Sequence, residues 1–224
     1  IHNEPGLPFG YVATRYGLIN CASRGMKITF SGKTAHAAEP ELANTPTRAI
    51  SSLAQHVNSF AYADETDTNF KLVTVTHINI GEPTFGITPG HGEIYLTLRT
   101  ARDETLSELV DDIMQLTNKL CAEDTLTATI EYCDDFAASI NDTDAVDIAR
   151  SAMDKLGIAH GEENLPMRAS EDFGVFGHNA KAAMLCLGPG SNSAALHHPD
   201  YDFNDDLIPI GASIFNQIAR ELLG

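Results

Sequence analysis

Between about residues 20 and 136 the sequence switches between two periodicities in the order β-α-β-β-α-β, and few folds accept that order. "MKITFSG" alternates, with Ile28 and Phe30 on one side and Lys27, Thr29 and Ser31 on the other, as a half-buried strand does. "NTPTRAISSLAQHVNSFA" repeats apolar residues at helical spacing through Ile50, Leu53, Ala54, Val57, Phe60 and Ala61. Pro46 suits its first turn, and Asn44 and Thr45 are candidate caps. "KLVTVTHINIG" reads as a strand ended by Gly81. In "GEIYLTLRT", Ile94, Leu96 and Leu98 face one way and Tyr95, Thr97 and Arg99 the other. "DETLSELVDDIMQLTNKLCAED" carries an apolar stripe of Leu106, Leu109, Val110, Ile113 and Leu120, with Thr105 and Glu108 at capping-box spacing. "TLTATIEYC" closes the unit as a strand. The expected fold is a ferredoxin-like antiparallel sheet with both helices on one face and Arg99 on the open face.

The flanks read differently. "IHNEPGLPFG" is rich in Pro and Gly and reads as loop; with Ile rather than Met in first place, the chain is expected to be a piece of a longer protein. After about residue 137, "TDAVDIARSAMDKLG" is a capped helix ending at Gly157, "SEDFGVFG" a helical turn, "KAAMLCLGPG" a buried strand and "DDLIPIGASIFNQIARELL" a terminal helix. Two helices around one strand make no sheet, so this tail is expected to belong to an α/β domain whose other strands lie elsewhere.

Charge narrows the partners. Fourteen Lys and Arg against thirty-one Asp and Glu give a net charge of −17, which argues against nucleic-acid backbones and anionic membranes. No apolar run reaches the ~20 residues that span a bilayer, and no signal peptide is visible. The four cysteines, Cys21, Cys121, Cys133 and Cys186, form no CxxC pair. Reduced thiols and a cytoplasmic location are expected.

The chemistry-bearing residues are few. "AALHHPDYDFND" holds adjacent His197 and His198, and in an extended segment only one of two neighbouring imidazoles faces a given ion. His2 lies in the opening loop, and His36 in "SGKTAHAAEP" is surrounded by alanines that permit close approach of another surface. Glu171 and Asp172 are adjacent carboxylates that would also serve as a helix start. Arg99 could clamp a carboxylate bidentately or pair with a surface acid. The P-loop, GxGxxG and GxSxG patterns are absent.

Four stretches in order, "HNEPGLPFG", "SGKTAHAAEPE…NTP", "GITPGHGEIYLTLRT" and "SEDFG…LGPG…LHHPDYDFND", together resemble the M20 family of metallopeptidases and amidohydrolases. The branch they resemble cleaves N-acyl amino acids, as hippurate and auxin-conjugate hydrolases do. The resemblance implies an α/β catalytic domain holding two divalent metal ions (Zn, Mn, Co or Ni) and an inserted ferredoxin-like lid. On this chain that means 1–19 as a catalytic-domain segment, 20–136 as a lid and dimerisation domain, and 137–224 as the rest of a partial catalytic domain. His2 and His197 are then metal ligands. His36 reaches a substrate oxygen, Arg99 holds the substrate carboxylate, and Glu171 and Asp172 support the site from behind. The remaining ligands and the general base belong to an N-terminal half that this chain lacks, so the chain alone is expected to be inactive. One departure stands out: the place thirteen residues before Arg99, usually Asn in this family, is Gly86. The implied partners are a small N-acyl amino acid or peptide and a second copy through the lid. A non-enzymatic ligand-binding or oligomerisation module, or a degenerate relative, would also accommodate the central unit.

Overall fold

The first residues pair with strands from the far end of the chain, an arrangement that no local pattern announces. The structure, a computed structural model, describes residues 1–62, 64 and 67–224. Its described residues divide into two compact units, Ile1–Asn20 with Ala138–Gly224, and Cys21–Ala137. In chain order the first part of the outer unit contains β1 (His2–Asn3), β2 (Val12–Ala13) and β3 (Gly17–Asn20).

The central unit follows with β4 (Ala22–Ser31), β5 (Ala35–His36), α1 (Thr47–His56), β6 (Lys71–Ile80), β7 (Ile87–Thr88), β8 (His91–Thr100), α2 (Asp103–Asp124) and β9 (Thr127–Phe136). The sheet order is β6-β8-β4-β9, every pair antiparallel, as the ferredoxin-like reading requires. Alternation decides which face is buried. Ile28, Phe30, Ile94, Leu96 and Leu98 are fully or almost fully buried with Ile50 and Leu53 of α1 and Leu109 and Ile113 of α2. Lys27, Thr29, Tyr95, Thr97 and Arg99 are half-buried on the other face. There Lys27 pairs with Glu93 at 3.3 Å, and its ammonium lies 5.6 Å from the Tyr95 ring centre.

Both helix starts differ from expectation. α1 begins at Thr47 behind Pro46 with no side-chain cap. Asn44 is occupied elsewhere: its backbone exchanges two hydrogen bonds with Lys33, and its side-chain amide donates to the Asp124 carbonyl. Thr45 Oγ1 shares a 2.9 Å hydrogen bond with the Thr47 hydroxyl and accepts a long 3.4 Å bond from the Thr47 N–H. α2 begins at Asp103, so Thr105 is already inside the first turn and buried, and no capping box with Glu108 forms. Asp103 and Glu104 favour that end electrostatically instead.

The chain then returns to the outer unit with β10 (Ser139–Asn141), α3 (Thr143–Leu156), β11 (His160–Gly161), α4 (Gly174–Gly177), β12 (Cys186–Leu187) and α5 (Leu207–Leu223). Asp142 caps α3 by accepting from the Ala145 N–H at 3.0 Å, and Gly157 ends it at φ 68°. The sheet order is β1-β12-β2-β11. The tail strand finds neighbours inside this chain, β1 in the segment read as loop and β2 just after it, which corrects the expectation that it stands alone between two helices here. Two-residue strands are too short to alternate, so nothing in the local sequence marks them. Val12, Leu185 and Leu187 pack with Ala149 and Met153 of α3 and with Leu207 and Ile214 of α5. The alternate residues Ala13, Met184 and Cys186 pack with Leu7 and Ile19. Gly188 permits the close approach of this strand to the opening turn: a Cβ there would lie 2.1 Å from the Pro8 carbonyl oxygen.

Cys186 lies within that layer, and burial first, then Glu4, pushes its thiol up to about 12. Because the folded value is raised above the ordinary 9.0, its contribution to stability is present below about pH 9 and is lost as pH rises towards 12. Cys21 and Cys121 are also buried, and Cys133 is exposed. Alkylation at pH 8 should therefore label Cys133 in the native chain and reach Cys186 only on unfolding; rapid native labelling of Cys186 would contradict its burial. No helix of the described residues is long and apolar enough to cross a membrane.

Candidate functional site

His2 owes its position to backbone pairing. Its N–H donates to the Leu185 carbonyl at 2.8 Å, and the Glu4 N–H donates to the Leu187 carbonyl at 2.9 Å, which fixes β1 beside β12. His197 is placed by a tight turn. Its φ is 66°, a left-handed conformation uncommon for a residue with a side chain. His198 maintains the turn: its N–H donates to Ala195, its carbonyl accepts from Tyr201, and its Nδ1 accepts from the Asp200 N–H at 3.1 Å. One imidazole of the pair thus supports the loop and the other is presented by it. Glu171 sits in the turn before α4, whose N-cap is Phe173 with no side-chain cap, so neither Glu171 nor Asp172 serves as a helix start.

These segments bring His2, Glu171 and His197 together around a pocket of about 600 Å³, with Ser170, Leu196, His198 and Tyr201. Asp172 is exposed and does not line it. His2 lies between two carboxylates: its Nδ1 is 3.6 Å from Glu4 and its Nε2 is 3.5 Å from Glu171. Among the described residues, the His2 Nδ1 is buried without a hydrogen-bond partner. Burial raises the Glu4 carboxyl above its ordinary range, His2 opposes the shift and Glu171 adds to it. Asn3 donates its side-chain amide to the Tyr201 hydroxyl, tying β1 to the histidine turn.

Two imidazoles and a carboxylate in one pocket, one imidazole nitrogen without a partner, are donors of the kind Zn, Mn, Co and Ni accept. They fit as a partial set. Among the described residues, no group of three or more His, Cys, Asp or Glu side chains is arranged to hold an ion.

His36 and Arg99 belong to the central unit. His36 is exposed on β5, and its Nδ1 accepts from the Ala38 N–H at 3.1 Å. In the neutral ring the proton is then on Nε2, which makes that nitrogen a donor. β5 pairs with β7, opposing His36 to Ile87, and the Ala37 N–H donates to the Gly86 carbonyl. Gly86 therefore lies beside His36. A Cβ there would meet nothing within 4 Å, so neither backbone nor space demands glycine. Arg99 lies on β8 between Ser23 of β4 and Leu72 of β6. Sequence reasoning passed over Glu4, Asn3, Ser170 and Tyr201. The only advance signal was the His-x-Glu spacing, which puts alternate residues of an extended segment on one side.

The model of the family described as Peptidase family M20/M25/M40 matches residues 1–221. An IAA-amino acid hydrolase (ILR1-like 5) of Arabidopsis thaliana is 27% identical over 232 residues, covering 100% of this chain and 53% of the relative. Hippurate hydrolase of Campylobacter jejuni is 28% identical, covering 97% of this chain and 57% of the relative. The chain thus spans little more than half the length of these curated relatives. Among solved structures, the YXEP protein of Bacillus subtilis, described as a dinuclear metal binding peptidase of the M20 family, superposes with a TM-score of 0.79 at 17% identity. That match covers 99% of this chain and 56% of the other, and it shows the shared fold. With its ordered motifs, its two-unit architecture and a family match along almost its whole length, the chain belongs to peptidase family M20/M25/M40.

Proposed function

We propose that the full-length protein is a metal-dependent amidohydrolase acting on the amide bond of a small N-acyl amino acid or peptide. The observation that carries this reading is the convergence of His2, Glu171 and His197 on one pocket in a chain of this family. Relatives named for the hydrolysis of hippurate and of IAA-amino acid conjugates support a small acylated substrate. Divalent ions, when bound, supply Lewis acidity at that pocket and lower the pKa of water there. His2 and His197 hold them together with ligands outside this chain. His36 donates its Nε2–H to the carbonyl oxygen of the scissile amide as negative charge develops. Arg99 pairs with the substrate carboxylate. Asp172, outside the pocket, takes no direct part. Two histidines cannot complete the coordination of two ions, so the 224-residue chain alone is expected to be inactive.

The test is an assay of the full-length protein on hippurate and other N-acyl amino acids, with bound metal measured alongside. His36→Ala should lower kcat by about 10²–10³-fold, the usual effect of losing one oxyanion donor, and leave metal content unchanged. A variant that keeps its rate would remove His36 from the chemistry. Turnover by the purified 224-residue chain, above that of its own His197→Ala variant, would overturn the requirement for the remaining ligands.

A further inference from the structure

We infer that Ile87 and Phe85, on the ribbon that presents His36, form an apolar wall for the acyl group of the substrate, and that the full-length protein prefers bulky neutral acyl groups to acetyl. The inference rests on the reading that His36 addresses the carbonyl oxygen of an N-acyl amino acid.

Strand register is the first argument. β5 and β7 form a two-stranded ribbon in which Ala35 is opposite Thr88 and His36 is opposite Ile87. The Thr88 Oγ1 accepts from the Ala35 N–H at 2.9 Å and donates to the Ala35 carbonyl at 3.1 Å, which holds that register. Residues directly opposite across an antiparallel pair share a face, with Cβ atoms about 4.5–5.5 Å apart. His36 and Ile87 are therefore neighbours on one face. Pairing runs on through the bond from the Ala37 N–H to the Gly86 carbonyl, so Phe85, two residues before Ile87, falls on the same face by alternation.

Exposure is the second argument. Ile87 is 56% exposed and Phe85 104%, so neither side chain belongs to the core of the central unit. Single exposed apolar residues are ordinary on a protein surface. Two on one face of a short ribbon, beside a hydrogen-bond donor, mark a contact site.

Chemistry then decides what they contact. The carbonyl carbon whose oxygen accepts from His36 bears the acyl group on one side and the amide nitrogen on the other. The amino-acid side carries a carboxylate, and placing that charge against Ile87 and Phe85 would strip its water without supplying a partner. The acyl group is neutral and gains by leaving water against them. Space favours a large one. A cavity of about 1070 Å³ opens in the central unit with Ile87 and Thr84 in its wall. Lys33 and Glu82 in the same wall offset each other in charge, so the cavity favours a neutral group over an ion. A benzoyl or branched aliphatic acyl group reaches past Ile87 into this space, where an acetyl group stops short of it.

The experiment measures kcat and KM of the metal-loaded full-length protein on the N-acetyl, N-butyryl and N-benzoyl derivatives of glycine, alanine and glutamate. For a given amino acid, kcat/KM should be at least about 10-fold higher for benzoyl than for acetyl, since even one methylene in an apolar site is worth about 10–200-fold. Ile87→Ser and Phe85→Ser should each lower that benzoyl-to-acetyl ratio by about 10-fold, and Ile87→Val should keep most of it. The ratio does not depend on the folded fraction, so a merely structural role for either residue would leave it unchanged. A ratio near one in the unaltered protein, or a ratio that either serine variant leaves in place, overturns the inference alone. If the unaltered protein hydrolyses none of the series, the amidohydrolase reading fails, and the inference with it.

Discussion

Replacing His197 with alanine in the full-length protein is expected to lower kcat/KM for amide hydrolysis by about 10³-fold or more, with loss of bound metal. A metal ion acting as Lewis acid contributes several kcal/mol to transition-state stabilisation, and each 1.36 kcal/mol is tenfold in rate. The neighbouring variant is the informative control. His198 uses its Nδ1 and both backbone groups to maintain the turn. His198→Ala should therefore affect stability of the loop more than the chemistry, with metal still bound. If His198→Ala released the metal and His197→Ala did not, the two roles would have to be exchanged.

His197 also carries a conformational cost. A left-handed non-glycine residue stores roughly 1–3 kcal/mol of backbone strain, and such strain persists where the surroundings over-determine it. Its φ is 66°. His197→Gly should relieve that strain, so the glycine variant is expected to be at least as stable as the natural protein while losing activity as fully as the alanine variant. Thermal unfolding and the hydrolysis assay, run on the same samples, separate the two effects. A glycine variant less stable than the alanine variant would show that the turn is not strained at this residue.

The largest effect on stability is expected from Phe30→Ala in the central unit. Phe30 is fully buried on β4, where its cross-strand neighbours are Gly92 of β8 and Ala128 of β9. Both neighbours are small, so the ring fills space that neither can reclaim after truncation. Such a change costs about 3–5 kcal/mol, a large part of the roughly 5–15 kcal/mol available to a whole domain. With an m-value of about 1–3 kcal/mol/M in urea, the midpoint of this unit should fall by roughly 2 M. The chain has no Trp, so far-UV circular dichroism is the suitable probe. Thr29→Ala, on the half-buried polar face of the same strand, should shift the midpoint by only a few tenths of a molar. Equal shifts for the two variants would contradict the assignment of the buried face.

The residues differ in how far they could be read without coordinates. β4 and β8 run for ten residues each, long enough for period-two alternation to reveal which side chains share a face. Arg99 was placed on the open face by counting from Leu98, and the burial pattern agrees. The helix starts were misread because cap preference is a weak local bias. Asn44 could have capped α1, but the approach of Lys33 offered its backbone and side chain other partners. Tyr201 carried no usable spacing, since a lone Tyr resembles any surface residue until the chain folds around it, and the His-x-Glu spacing of Glu4 put it beside His2 without giving it a task.

By itself the sequence determined the ferredoxin-like central unit, the helices of the tail and the family to which the chain belongs, because periodicity and ordered motifs are local and survive without tertiary context. Only the tertiary structure decided that His2, Glu171 and His197 face one pocket and that Glu4 and Glu171 flank the same imidazole. That outcome depends on β1 pairing with β12 across most of the chain length, and hydrogen bonds between strands of two residues leave no pattern in sequence.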